Sequence, residues 1–181
     1  MTVRDWSEHD LGVSGRVLPV VTAPHPVLVA PSDDVDPLDP KVVQLAADLV
    51  ATMRVSPGCV GLAACQVGVG MDVFSVDVST HPKARTIHGT FVLCNATVVS
   101  ASRNEKAREG CMSVPHLTGD VKRATRLAVA GFLPGSGERV TVETDAFEAR
   151  ALQHEMDHCA GLLFVDRVAG AHAVYPRRTY L

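Results

Sequence analysis

The stretch that decides the fold is T-D-A-F-E-A-R-A-L-Q-H-E-M-D-H-C-A-G, residues 144–161. Thr144 or Asp145 can cap a helix that runs to Cys159, and Gly161 suits the position just past its end. Phe147, Ala151, His154 and His158 then share one stripe, which would equally describe ordinary core packing. His154 and His158 lie one turn apart on the same side, so both imidazoles can hold one metal ion while Glu155 reaches a water bound to it. Such an ion lowers the pKa of its water toward about 7, and the carboxylate takes and returns a proton. The arrangement therefore points to metal-assisted hydrolysis, although the bare H-E-x-x-H letters also arise by chance on polar helix faces.

Upstream of this helix, apolar and β-branched runs at 73–78, 91–99, 127–133 and 140–144 read as strands. They are mostly antiparallel, because segments of crossover-helix length are missing between several of them. Residues 80–90 read as a surface loop, and Pro115 as a strand break. An earlier helix is capped by Asp39, carries Pro40 at its first position and repeats apolar residues from Val42 to Met53, until Ser56-Pro57-Gly58 stops it. Strands bracketed by two helices predict an α+β fold. The 181 residues suit a single domain, with an irregular extension over 1–16 and a tail over 168–181 in which Tyr175-Pro176 argues against a helix.

Seventeen Lys+Arg against twenty Asp+Glu give a net charge of -3, with no basic block, which disfavours a surface built to grip nucleic acid or anionic lipid. The charged first ten residues do not form a signal peptide, and no apolar run reaches the roughly 20 residues of a membrane span. Five cysteines (Cys59, Cys65, Cys94, Cys111 and Cys159) are an odd number and suit reduced thiols in the cytoplasm better than a disulfide framework.

Two histidines do not complete a catalytic metal site, which ordinarily has three protein ligands and an open position. The common protease solutions fail here: no glutamate follows Glu155, and Phe164 stands where an extended motif would carry a third histidine. Asp166 and His172 lack the expected spacing. Cys111, in R-E-G-C-M-S-V-P, offers a soft thiolate suited to Zn(II) or Fe(II), and the amide of Met112 beside it could point toward a substrate oxygen. A buried structural cysteine is the alternative. In G-C-V-G-L-A-A-C-Q-V-G-V, residues 58–69, small residues permit close backbone approach, and the Gln66 amide can donate to an oxyanion. A turn packed on small residues would explain the same letters, and no dinucleotide fingerprint is present.

In this order, C-V-G-L-A-A-C-Q (59–66), E-G-C-M-S (109–113) and Q-H-E-M-D-H (153–158) resemble the three signature motifs of the peptide deformylases, over most of the chain. The resemblance implies antiparallel strands around a central metal-binding helix, and removal of the formyl group from N-formylmethionyl ends of nascent chains at the ribosome, with release of formate. It implies Cys111, His154 and His158 as metal ligands, Glu155 as general base and acid, and Gln66 with the Met112 amide as oxyanion donors. The implied metal is Fe2+, with Ni2+, Co2+ or Zn2+ able to substitute. An N-formyl peptide would lie as an added strand near Val60 and Gly61, its methionine in an apolar pocket lined by Val60, Phe147 and Ala151. The expected protein is a cytoplasmic monomer.

Three departures stand out. Cys59 replaces the first glycine of its motif, Met112 a more frequent leucine, and Arg150 an apolar residue common in relatives. If Arg150 faces the pocket rim it alters substrate preference; on the solvent side it does nothing. The alternatives are a duplicate deformylase with a specialised substrate or a role in inhibitor resistance, a non-catalytic binding module on the same fold, and a zinc endopeptidase.

Overall fold

The computed structural model describes residues 11–178. The first ten residues of the expected extension and the last three of the tail lie outside the described residues. Helix α1 (Pro40–Val55) starts as expected, with Asp39 accepting a hydrogen bond from the Lys41 amide at 2.8 Å and proline in its first turn. The strands are β1 (Gly61–Ala63), β2 (Val73–Val76), β3 (Phe91–Cys111), β4 (Val114–Phe132) and β5 (Arg139–Asp145); helix α2 (Ala146–Cys159) and β6 (Val174–Pro176) follow. The sheet order is β1-β2-β3-β4-β5, with β6 added to β4, and each of these pairings is antiparallel.

The continuous apolar runs of β2 and β3 have a simple cause: both faces of the sheet are covered there. Phe74, Val76, Phe91 and Leu93 join the core under α2, whereas Val73, Val92 and Cys94 join the core under α1. Successive side chains point to opposite faces, so strands covered on both sides lose the apolar-polar alternation. The segment before α1 is strapped to that helix. Leu18 N–H donates to Thr52 at 2.9 Å, Arg16 pairs with Asp48 at 2.7 Å, and a Cβ on Gly15 would collide with the Ala47 carbonyl.

Two expectations are corrected. Pro115 does not break a strand; it is exposed, one residue into β4. The register slips there, from Gly110 opposite Thr118 to Cys111 opposite Val114, so the proline sits at an irregularity. Strand β3 also runs well past residue 99, forming with β4 a long hairpin that turns at Met112 and Ser113. Residues 100–106 of β3 are exposed and mostly polar, which is why apolar pattern alone ended the strand early.

The capping of α2 differs as well. Asp145 holds the N-cap position but makes no side-chain cap; it accepts from the Thr86 hydroxyl at 2.9 Å, while Thr144 donates to Glu148 at 2.7 Å. The loop over 80–90 is thereby latched to the helix. His88 reaches fully buried Glu148 through its amide (3.0 Å) and Nδ1 (2.6 Å). On the same loop His81 stacks on Phe147, with ring centroids 3.4 Å apart.

The hydrogen bond that the His88 ring donates to Glu148 raises the His88 pKa above its ordinary value. A raised histidine contributes stability that is complete below its unfolded pKa of about 6.5 and is lost as pH rises through the folded one. The stability difference between the native protein and His88→Gln therefore shrinks from pH 6 upward. Urea unfolding at pH 6, 7, 8 and 9 checks this, and a constant difference would refute it.

Candidate metal and catalytic site

Helix α2 is buried against β1, β2, β4 and β5, yet it carries five buried acidic, basic or imidazole side chains: Glu148, Arg150, Glu155, Asp157 and His158. Buried charges require partners, and three of these have them. Glu148 holds His88. Asp157 takes the Arg123 guanidinium and that of Arg167 (2.7 Å). Arg150 donates to Glu109 at 2.7 Å. Glu155 makes no ion pair among the described residues, and its Oε2 is buried without a hydrogen-bond partner. The His158 Nδ1 is likewise unpartnered. Burial pushes Glu155 up to about 7 and pushes His158 well below its ordinary value, which keeps that imidazole in the neutral form a metal ligand needs.

The β3–β4 turn delivers the third group. Ligand atoms of Cys111, His154 and His158 lie within 4.8 Å of one another, with Cys111 Sγ 3.2 Å from His158 Nε2 and the two imidazoles edge to face at 5.0 Å. One thiolate and two imidazoles suit a divalent ion of the Fe2+ or Zn2+ kind. The unpartnered carboxylate beside them agrees with a group that sits among these residues and supplies what the protein does not. Among the described residues these are the ones that form a three-ligand cluster of this kind.

Behind the ligands lies an ionic framework that motif reading left undivided. Glu109 is clamped by Arg123 through both oxygens (2.9 and 3.0 Å), receives Arg150, and accepts from His154 Nδ1 at 3.0 Å. Burial works to raise the Glu109 pKa, but the His154 and Arg123 hydrogen bonds overcome it and hold the carboxyl well below the usual range. Such a carboxylate fixes the tautomer and tilt of the ligand imidazole. Glu109 and Asp157 stood within the quoted motifs without a role. Arg123 had no local signal, because it acts across the hairpin.

Gln66 faces Cys111: its Nε2 lies 3.4 Å from the sulfur and 3.2 Å from Ser113 Oγ, while its Oε1 is held by the Ala63 amide at 3.0 Å. These groups open into a cleft of about 290 Å³ whose walls include Val60, Gly61, Met112, Phe147, Ala151 and Glu155. All four expected pocket residues thus line one space. His81, Arg108, Thr118 and Arg177 also line it, from segments with no motif. Arg150 is neither at the rim nor toward solvent; it is 8% exposed, in the cleft wall behind Glu109. A Cβ on Gly61 would stand 2.5 Å from Glu155 Oε1, so the absence of a side chain there makes room for the carboxylate. The Cys59 thiol donates to the Gly61 carbonyl at 3.1 Å. Burial pushes the Cys65 and Cys94 thiols up to about 12, consistent with packing roles.

The family model described as polypeptide deformylase matches residues 17–173. The peptide deformylase of Desulforudis audaxviator is 39% identical over 163 residues, covering 90% of this chain and 98% of that protein. That of Aquifex aeolicus is 37% identical over 151 residues, covering 83% and 87%. The crystal structure of peptide deformylase from Ehrlichia chaffeensis in complex with actinonin superposes with a TM-score of 0.78 at 31% identity, covering 87% of this chain and 90% of that one. A Met-Ala-Ser-bound class I type b peptide deformylase from Acinetobacter baumannii gives 0.76 at 33%, covering 84% and 99%. With all three residues of the ligand cluster inside the matching region, the chain belongs to the peptide deformylase family and is a metallo-hydrolase of that kind.

Proposed function

We propose that this chain removes the formyl group from the N-terminal formylmethionine of nascent proteins, acting in the cytoplasm as a single-domain monomer near the ribosome, without binding nucleic acid or membrane. No helix among the described residues is long and apolar enough to cross a membrane. The observation that carries the reaction is Glu155, a buried carboxylate whose Oε2 has no protein partner, placed beside the three ligands. A peptide substrate is supported by the relative bound to Met-Ala-Ser and by β1, an edge strand of the sheet.

Cys111, His154 and His158 would hold the ion, which when bound supplies Lewis-acid polarisation and an acidified water. Gly61 and Val60 receive the substrate backbone along the edge, and the formylmethionine side chain enters the cleft between Phe147 and Ala151. Glu155 takes the proton that water gives up and passes it to the departing amine. The Gln66 Nε2 and the Met112 amide donate to the oxygen that gains charge. Glu109 keeps His154 in register throughout. Water adds across the amide, leaving formate and a free amino terminus.

The test is formate release from formyl-Met-Ala-Ser by anaerobically purified, iron-loaded protein. Release supports the proposal; tight metal binding without formate would favour the binding module instead.

A further inference from the structure

We propose that Arg177 is a specificity residue that receives a carboxylate carried by the substrate chain just beyond its formyl-bearing residue; this rests on the deformylase reading above. Three guanidinium groups line the cleft, and two are already engaged. Arg108 pairs with Asp120 at 2.7 Å and lies 3.7 Å above the Tyr175 ring, and Arg150 is bound to Glu109. Arg177 is exposed, and among the described residues its side chain makes one hydrogen bond, a long 3.4 Å contact from Nη1 to the Cys111 carbonyl. No acidic partner faces it among the described residues.

Its position is built rather than incidental. Strand β6 pairs with residues 117–119 of β4, and the Arg177 amide continues that ladder to the His116 carbonyl at 2.8 Å. The guanidinium is laid over Gly110, where a Cβ would stand 3.6 Å from Cζ and Nη2. Gly110 precedes the ligand Cys111, and Gly61 of the edge strand β1 lines the same cleft. A peptide extended from the ligand cluster along that edge passes in front of a cation that has no acidic partner among the described residues. The carboxylate it meets is an acidic side chain of the next residues or, on a short substrate, the chain terminus.

The experiment compares kcat/KM for formyl-Met-Asp-Ser-amide and formyl-Met-Asn-Ser-amide at low ionic strength. Further arms place the Asp/Asn pair third and set formyl-Met-Ala against its amide, to separate side-chain from terminal carboxylates. At least one pair is expected to favour the acid by about two- to fivefold, the range of an exposed ion pair, falling toward one in 1 M KCl. Arg177→Ala brings the ratio to one, Arg177→Glu below one, and Arg177→Lys keeps part of it. A purely structural role for β6 would lower both members of a pair equally and leave the ratio intact, which overturns the proposal, as does a ratio of one for every pair in the native protein. The Kd ratio for Met-Asp-Ser-amide against Met-Asn-Ser-amide on zinc-loaded protein decides the matter independently of turnover, so failure of the deformylase reading, with no formate from any peptide, is told apart.

Discussion

Replacing Glu155 by alanine is expected to lower formate release by about 10²- to 10⁴-fold, the scale on which a positioned acid-base group acts. Metal content should not change, since Cys111, His154 and His158 are untouched. Stability should be equal or higher, because the substitution removes a buried carboxylate that has no ion pair among the described residues. This combination separates Glu155 from the other buried acids of α2, whose loss would strand a cation. Formate assay, metal analysis and urea unfolding on one preparation read all three. Undiminished turnover would remove Glu155 from the mechanism.

The second large effect is on stability. Arg123→Met strips the clamp from Glu109 and one of two guanidinium partners from Asp157, all of them buried. Breaking a buried pair by removing one side costs about 3–5 kcal/mol. Arg150 and Arg167 remain as residual partners, so the expected loss is at the lower end, about 3 kcal/mol. Because Glu109 also holds His154 Nδ1, metal affinity should fall as well, by about 10- to 100-fold. Urea midpoints and competition with a chelator measure the two losses. A stability change under 1 kcal/mol would mean that the framework is not what holds the ligand helix.

How far the sequence carried depended on whether a residue's partner was near in the chain. The spacing of His154, Glu155 and His158 put three groups on one helical side without further information, and Asp39-Pro40 marked the start of α1. Glu109 and Arg123 are 14 residues apart on paired strands, and Arg123 and Asp157 are 34 apart, so their coupling exists only once the hairpin closes over α2. The hairpin itself was half legible: the start of β3 is apolar, whereas residues 100–106 are exposed, mostly polar and read as loop, and the buried Glu109, Val121 and Arg123 beyond them follow no apolar pattern. His81 and Arg177 reach the cleft from a latched loop and a terminal strand, elements whose sequence has no periodicity to interpret. Arg150 was legible as an oddity, and only its bond to Glu109 shows where it points.

The charged framework also sets how the protein responds to heat. Arg150, Glu109, Arg123, Asp157 and Arg167 form one continuous chain of ion pairs, running from the cleft wall, past the ligand imidazole, to the surface. The penalty for withholding charges from water falls as temperature rises, while the gain from apolar burial levels off. On warming, the apolar cores beneath the two helices lose their relative advantage and the scaffold of the metal centre gains. The centre is then expected to be the last region to loosen, which amide exchange followed on warming would check.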